Sequence, residues 1–358
     1  MNRTALIEKL ERIAPALSDA NLIPVLTHFC FTGTHVYAYN DSIAMSVPCK
    51  TDFVGAVPGK ILLELLRASR AKDVAFNIGT TNDILALEIK AASSKLKLAL
   101  LDKKAFVFKM PSAPPDLRPM NNKKTRQEFL GIVSRCLMSV SHDTSYPEYL
   151  GVTFKVRDGE LNLYSTDGAT LVHGAMKLSM DLDFKTAILP GNFCEQMLAL
   201  AKGETGSMSL IVDTKERHAL FICPSATLYG RLIETDKPLN HQAKLDEMFP
   251  AALEKQLVPV PSKLELILER ALVITNTKEG SPKTTVTVRD GVAKFTSKSE
   301  RGEVYDTLQL DGQRNVSIKL NPKLLKNGYG VFDRILFTDS CVIMCNNTIT
   351  YLISVTEE

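Results

Sequence analysis

Apolar residues recur along this chain in two rhythms, a helical stripe and then strand-like alternation, and the succession occurs three times. In the first copy Leu6, Leu10, Ile13 and Ala14 share a helical face. In the second, Phe129, Leu130, Val133, Cys136 and Leu137 do, and in the third Leu264, Ile267, Leu268, Ala271 and Leu272 do. Spacings of three, four and seven predict an amphipathic helix with one buried stripe. Ser262 and Glu265, following Pro261, predict a capping box at the third helix.

A strand, a tight turn and a second strand follow each helix. Val156-Arg157-Asp158-Gly159 recurs as Val288-Arg289-Asp290-Gly291, and Asp-Gly between alternating apolar runs predicts a hairpin. The first copy has FCFTGTHVYAYN, with Gly33 at the turn. A second helix is then entered through Val57-Pro58-Gly59-Lys60, Leu189-Pro190-Gly191-Asn192 or Leu320-Asn321-Pro322-Lys323. Proline near a first helical turn is tolerated because that N–H has no helical partner. Alternating strands close each copy, as in KLKLALL, HALFICPSATLYGRLI and CVIMCNNTITYLISV. The proline-bearing polar stretches MPSAPPDLRPMNNKKTR and KPLNHQAKLDEMFPAALEKQLVPVPS read as linkers. The expected organisation is an α+β protein of three repeated domains, 1–119, 120–249 and 250–358. Each repeat is roughly 120 residues, far longer than a solenoid period.

The length of 358 residues, 45% hydrophobic and 23% charged, fits several such domains of an ordinary globular protein. No apolar run reaches the length of a membrane helix, and the N-terminus MNRTALIEKLERIAPAL lacks the apolar core of a signal peptide. A cytoplasmic protein is expected. The seven scattered cysteines read as buried free thiols; Cys341 and Cys345 have no second pair or nearby histidine to make a zinc site. No metal and no cofactor are expected.

Catalytic patterns do not assemble. Ser165-Thr166-Asp167-Gly168 with His173 nearby contains the residue types of a nucleophile and base, but reads more simply as a strand-ending turn, and a triad is defined by geometry. Gly59-Lys60 resembles the end of a phosphate loop, but that pattern needs glycine where Val54 stands and Ser or Thr where Ile61 stands. The reading is of a protein that is not an enzyme, with no catalytic residues.

The net charge of +3 does not by itself announce nucleic-acid binding. The placement of cations says more. Lys60, Arg67, Arg70 and Lys72 gather on the second helix of the first repeat, Lys123, Lys124, Arg126 and Arg135 on the first helix of the second, and Lys319, Lys323 and Lys326 in the last. Singly these are solvated faces. If the equivalent helices share one side, the charges converge on a surface that neutralises phosphates without reading bases.

With these repeats in order, the chain resembles the bacterial DNA polymerase III beta subunit, the beta sliding clamp family, over essentially its whole length. The segments that carry the resemblance are LIPVLTHFCFTGTHVYAYNDSIAMSV, EYLGVTFKVRDGELNLYSTDGATLV and LERALVITN. The resemblance implies the DNA clamp fold: two chains joined head to tail, helices lining a hole and antiparallel sheets outside. It implies a processivity factor that encircles duplex DNA without sequence preference, with a replicative polymerase subunit and a clamp loader as partners and no membrane role. Lys60, Arg67, Arg70, Lys72, Lys124 and Arg135 would face the DNA.

By the same resemblance, a peptide pocket between the second and third domains would include Leu150, Thr166, Gly168, Thr170, Leu171, Pro238, Leu352 and Ser354. The edge strand Lys95-Leu96-Lys97-Leu98 would meet the other chain near Val273 and Ile274. Leu96, Leu98, Val273 and Ile274 would form the apolar centre there, and Lys95 and Lys97 would face Glu300, Glu303 and Asp306. The chain departs from the family pattern at Ala169-Thr170, at Ser354-Val355-Thr356, at Gly191-Asn192 and at Ala20, which alters pocket chemistry and removes some DNA contacts. The alternatives are a clamp-like scaffold that binds proteins without a DNA role, and a hydrolase or transferase with an interdomain site.

Overall fold

A computed structural model describes residues 1–19, 23–81, 84–91, 94–113, 119–177, 184–236, 239–276 and 282–355. The chain divides into two compact units, Met1–Arg126 with Ser179–Leu232, and Gln127–Leu178 with Ile233–Glu358.

The first unit is built on a seven-stranded antiparallel sheet. Its strands run in the order 209–213, 218–223, 226–231, 43–48, 35–39, 28–31 and 55–58. Segments from the first and second repeats thus share one sheet, joined where Tyr229 pairs with Ala44. Helices α1 (Arg3–Ile13) and α2 (Gly59–Ala68) pack on each other and on strands 43–48 and 28–31. The predicted stripe of α1 is observed as buried Leu6, Leu10 and Ile13, and Asn2 caps it by accepting from the Ala5 N–H. A smaller sheet of strands 74–81, 84–91 and 94–99 belongs to the same unit, with 94–99 at its edge.

In the second unit the strands run 151–157, 160–166, 170–177, 349–354, 341–345, 334–337 and 258–259. Here the second and third repeats are joined, with Leu171 opposite Leu352. Helix α3 (Lys123–Cys136) buries Phe129, Ile132, Val133 and Cys136, so Ile132 takes the core place expected of Leu130. Helix α4 (Gly191–Ala201), back in the first unit, buries Phe193, Cys194 and Met197 against strand 226–231. A further sheet in the second unit has the order 302–309, 292–299, 284–289 and 316–320, with 302–309 at its edge.

Both predicted Asp-Gly hairpins form. Asp158 and Gly159 have φ of 52° and 78°, and Asp290 and Gly291 have 49° and 77°, the double left-handed signature of a two-residue turn that matches strand twist. All seven cysteines are buried free thiols. Among the described residues no helix is long and apolar enough to cross a membrane.

Three expectations are corrected. The stretch read as the second linker folds into helix α5 (His241–Met248), a 3-10 turn over Ala251–Gln256 and a short strand Val258–Pro259. Asn240 caps α5 by accepting from the Ala243 N–H, and Leu245 anchors it to the sheet. The capping box does not form at helix α6 (Leu264–Thr275): Lys263 is the cap residue, without a side-chain bond, and the Ser262 carbonyl accepts from the Tyr329 hydroxyl. Arg70 and Lys72 lie beyond α2, which ends at Ala68. The last helix, α7 (Pro322–Gly328), is entered as predicted, with Asn321 accepting from the Lys323 N–H.

Strand 170–177 has helices on one side and α5 on the other because successive side chains point to opposite faces. Gly174 faces α3, where a Cβ would collide with the Ile132 side chain. Gly174→Ala should therefore destabilise the second unit by about 1–3 kcal/mol, the usual scale of overpacking. Gly159→Ala is the wrong control, since its φ of 78° adds strain; Gly131→Ala, with open space around it, should be neutral or stabilising. Urea titration of the two variants checks the contrast.

Candidate functional site

The face of the second unit's sheet turned away from α3 carries a cleft of about 250 Å³. Its floor is the Leu171–Leu352 strand pair. These two residues pack with Leu245, Leu336, Cys341 and Ile343 in one buried cluster, onto which Met248, Phe249, Leu253 and Leu257 close. Helix α5 supplies a wall through His241, Lys244 and Met248. The opposite rim is the loop 166–170, with Tyr149 beside it.

That loop is held by its own side chains. Asp167 Oδ1 accepts from the Ala169 N–H at 3.0 Å, the Thr170 N–H at 2.6 Å and the Thr170 hydroxyl at 2.9 Å. Thr166 donates to the Thr170 carbonyl at 2.6 Å, and its hydroxyl accepts from the Gly168 N–H at 3.1 Å. Gly168, at φ 87°, occupies the left-handed region that the tight return requires. The C-terminal strand is tied to the same loop where the Ser354 N–H donates to the Ala169 carbonyl at 2.8 Å. The rim is thus a fixed edge of backbone and small polar groups above an apolar floor.

Of the expected pocket residues, the structure brings Thr166, Gly168, Thr170, Leu171, Leu352 and Ser354 together around this cleft. Leu150 sits next to the lining residue Tyr149 but does not line the cleft. Pro238 lies outside the described residues. Sequence reasoning missed Leu239, Asn240, His241, Lys244 and Met248, all on or beside α5. The signal was present in a weak form: an Asn cap followed by buriable side chains at 241, 245 and 248.

The Ser165 to His173 constellation does not form a catalytic triad. The Ser165 hydroxyl is buried and donates to the Cys136 carbonyl at 2.6 Å. His173 Nε2 is 3.0 Å from Asn162 Oδ1, its ring stacked on Tyr164 at 4.6 Å. Asp167 is occupied by its own loop, as above.

Tyr164 stacks also on His241, at 5.3 Å, and its hydroxyl donates to Gln242 Oε1 at 2.6 Å. Burial brings both His173 and His241 down to about 4, with a nearby Lys155 adding to the effect at His241 and Asp246 opposing it at His173. Among the described residues, buried His241 Nε2 has no hydrogen-bond partner. Both imidazoles are therefore neutral at physiological pH, and protonating either means charging a buried ring.

The cations expected to face DNA are exposed at Lys60, Arg67, Arg70, Lys72 and Lys124, and Arg135 is half-buried. Lys60 and Arg67 are exposed positions of α2, whose buried side is formed by Leu62, Leu63 and Leu66. Each is ion-paired: Lys60 Nζ with Asp19 at 2.6 Å, and Arg67 with Glu11 through Nε at 3.0 Å and Nη2 at 2.6 Å. Such exposed pairs contribute little and are screened by salt, so an incoming phosphate can replace the carboxylate.

At the expected seam, Leu96 and Leu98 are half-buried on an edge strand, Ile274 is half-buried, and Val273 is 70% exposed. Within its own unit, Glu88 pairs with Lys95 at 2.9 Å and Lys97 at 3.3 Å. In the other unit Asp306 pairs with Arg270 at 2.6 Å, and Glu303 with Lys298. Of the charges expected to meet across a seam, Lys95, Lys97, Glu303 and Asp306 already have partners within the chain.

The two histidines set a pH dependence. Their folded pKa values lie below the ordinary value near 6.5 of an unfolded imidazole. The unfolded chain then binds more protons than the folded one below that pH, so stability is full above about 6.5 and declines as pH falls toward 4. Replacing both by leucine should flatten this part of the curve, measured as the urea midpoint between pH 7.5 and 4. An unchanged slope in the double variant would assign the loss to carboxylates instead.

No family model matches the chain. It is similar to the beta sliding clamp of Halalkalibacterium halodurans, 20% identical over 361 residues that cover 95% of this chain and 90% of the relative. In fold it is similar to the DNA polymerase III subunit beta of Pseudomonas aeruginosa, with a TM-score of 0.82 and 16% identity over 100% of this chain and 99% of that one. The DNA polymerase sliding clamp of Bacillus subtilis gives the same TM-score and identity over 100% and 98%. With helix-backed sheets that each join two sequence repeats, the chain has the fold of the bacterial sliding clamps and is similar to them in sequence along nearly its whole length.

Proposed function

We propose that the protein is a DNA polymerase processivity factor, a sliding clamp that acts without catalysis. The observation that carries this reading is the likeness to clamps over the entire chain rather than over one portable domain. In this reading the chain forms three clamp domains, 1–119, 120–249 and 250–358. Two chains close head to tail in the cytoplasm around duplex DNA, and a polymerase subunit or a clamp loader docks in the cleft over Leu171 and Leu352. An apolar floor of this size with a fixed polar rim suits a short extended peptide carrying apolar side chains.

The ring seam is proposed between the edge strand 94–99 of one chain and the region of Val273, Ile274 and strand 302–309 of the other. Both are edge strands of their sheets among the described residues, and an unpaired edge is a template for pairing. Val273 and Tyr305, 70% and 58% exposed, supply apolar surface beside the second edge. Because Lys95 and Lys97 already pair with Glu88, the apolar centre should carry the seam. Leu96→Ala combined with Ile274→Ala is expected to give monomers, and Lys97→Ala alone to leave dimers, by sedimentation at micromolar concentration. A double variant that remains dimeric places the seam elsewhere.

DNA contacts in this reading come from Lys60, Arg67, Arg70, Lys72, Lys124 and Arg135 to phosphates. Their ion pairs at Lys60 and Arg67 favour a scaffold without a DNA role as the second reading. One experiment separates them. The protein is loaded on nicked circular DNA, the complex is isolated, and the DNA is then linearised. A clamp is retained on the circle and lost from the linear form. Binding to open linear DNA should be weak, with a salt slope of about −0.9 per phosphate contact. Equal retention before and after cutting, or no retention on either form, is incompatible with encirclement.

A further inference from the structure

The two large sheets carry the same local construction, but in the first unit the place of the cleft is filled. In the second unit, the loop 167–170 joins the paired residues Thr166 and Leu171, and Leu171 pairs with Leu352. In the first unit, the loop 40–43 joins the paired residues Tyr39 and Ala44, and Ala44 pairs with Tyr229. Register therefore makes Tyr39, Ala44 and Tyr229 the counterparts of Thr166, Leu171 and Leu352. The loops are closed alike: Asn40 Oδ1 accepts from the Ser42 and Ile43 N–H groups, as Asp167 Oδ1 does from Ala169 and Thr170.

Where the second unit has its cleft, the first has the chain's own Phe108. Its ring stacks on Tyr39 at 4.4 Å and tilts against Tyr229 at 4.9 Å. It arrives on an extended strap, 106–110, along which Phe106, Phe108 and Met110 pack on the buried cluster of Tyr37, Tyr39 and Ala44. Val107 and Lys109, between them, are exposed. The Tyr37 hydroxyl donates to the Phe108 carbonyl at 2.9 Å, and the Phe106 ring meets Tyr37 edge-on at 5.8 Å. Alternate side chains inward, backbone carbonyl bonded to the wall and ring in a site formed by a strand pair are the features of a bound peptide.

We propose that the first unit contains a second, latent cleft for an extended segment bearing an aromatic side chain, and that Phe108 is its built-in occupant. The strap keeps this copy closed, so that each chain offers a single docking site. The inference rests on the peptide-cleft reading only for its biological meaning; the occupancy itself is a separate matter of binding.

The test uses the full chain and a defined probe, N-acetyl-Leu-Phe-amide, followed by NMR with labelled tyrosine and leucine. In the native protein the probe should shift Leu171 and Leu352 and leave Tyr39 and Tyr229 unmoved. In Phe108→Ala it should also produce saturable shifts at Tyr39 and Tyr229, doubling the number of sites per chain, while Phe108→Leu, which keeps the site filled, should behave as the native protein. A folded Phe108→Ala whose Tyr39 and Tyr229 do not respond overturns the proposal. If that variant does not fold, Tyr37→Phe, which removes the bond to the strap, takes its place: shifts at Tyr39 and Tyr229 at higher probe concentration are expected, and their absence is equally fatal. Response at Tyr39 and Tyr229 without any at Leu171 or Leu352 would sink the reading of the second unit's cleft and leave the latent site standing.

Discussion

The cleft and the helix-backed sheet under it depend on one long-range interaction, the antiparallel pairing of strand 170–177 with strand 349–354. Until those strands meet, Leu171 and Leu352 are single apolar residues far apart in sequence, and the loop 166–170 has no Ser354 N–H to hold. Once they meet, the floor, the rim and the seat for α5 exist together. Pairing at such separation carries a loop-closure cost before any contact offsets it. The return is a continuous sheet in which strands of two sequence repeats bury one another's faces. The first unit makes the same arrangement through strands 43–48 and 226–231.

This explains which parts were legible in the sequence. Local signals were read correctly because their physics is local. The Asp-Gly turns need only two residues that tolerate positive φ, and the stripes of α1 and α6 need only one turn-spaced face; in α3 the stripe is shifted at one place, to Ile132 from Leu130. The capping box was legible as a pattern but not as an outcome, because whether Ser262 caps depends on where the chain before α6 runs. Helix α5 was hidden for a related reason. Its buried side chains are His241 and Leu245, with Met248 partly buried, and a histidine counts as apolar only once burial has made it neutral.

The cations were visible and their partners were not. Lys60 meets Asp19 across 41 positions and Arg67 meets Glu11 across 56, so composition near α2 overstated its free positive charge. The same holds at the edge strands, where Glu88 takes Lys95 and Lys97 from the adjacent strand. Cross-strand neighbours are set by register, and register follows from hairpins that a reader of the sequence would have to place to the residue.

Alternation along a single strand separates the duties of the proposed clamp. On strand 349–354, Tyr351 turns toward α7, where Gly328 leaves room for its ring, while Leu352 turns the other way, into the cleft. On strand 170–177, Gly174 turns toward α3 and Leu171 toward α5. The proposed docking cleft and the helix layer therefore use opposite faces of one sheet, and a peptide bound there would not need to displace anything on the helix side. The cost is rigidity: the strand that forms the floor of the cleft also backs the helices, so a substitution at Gly174 reaches the cleft through the strand itself. The ion-paired cations fit the same division. In the proposed clamp, Lys60 and Arg67, which already rest on exposed carboxylates, would exchange them for phosphates at small net gain, which gives weak, replaceable contacts and leaves retention to topology.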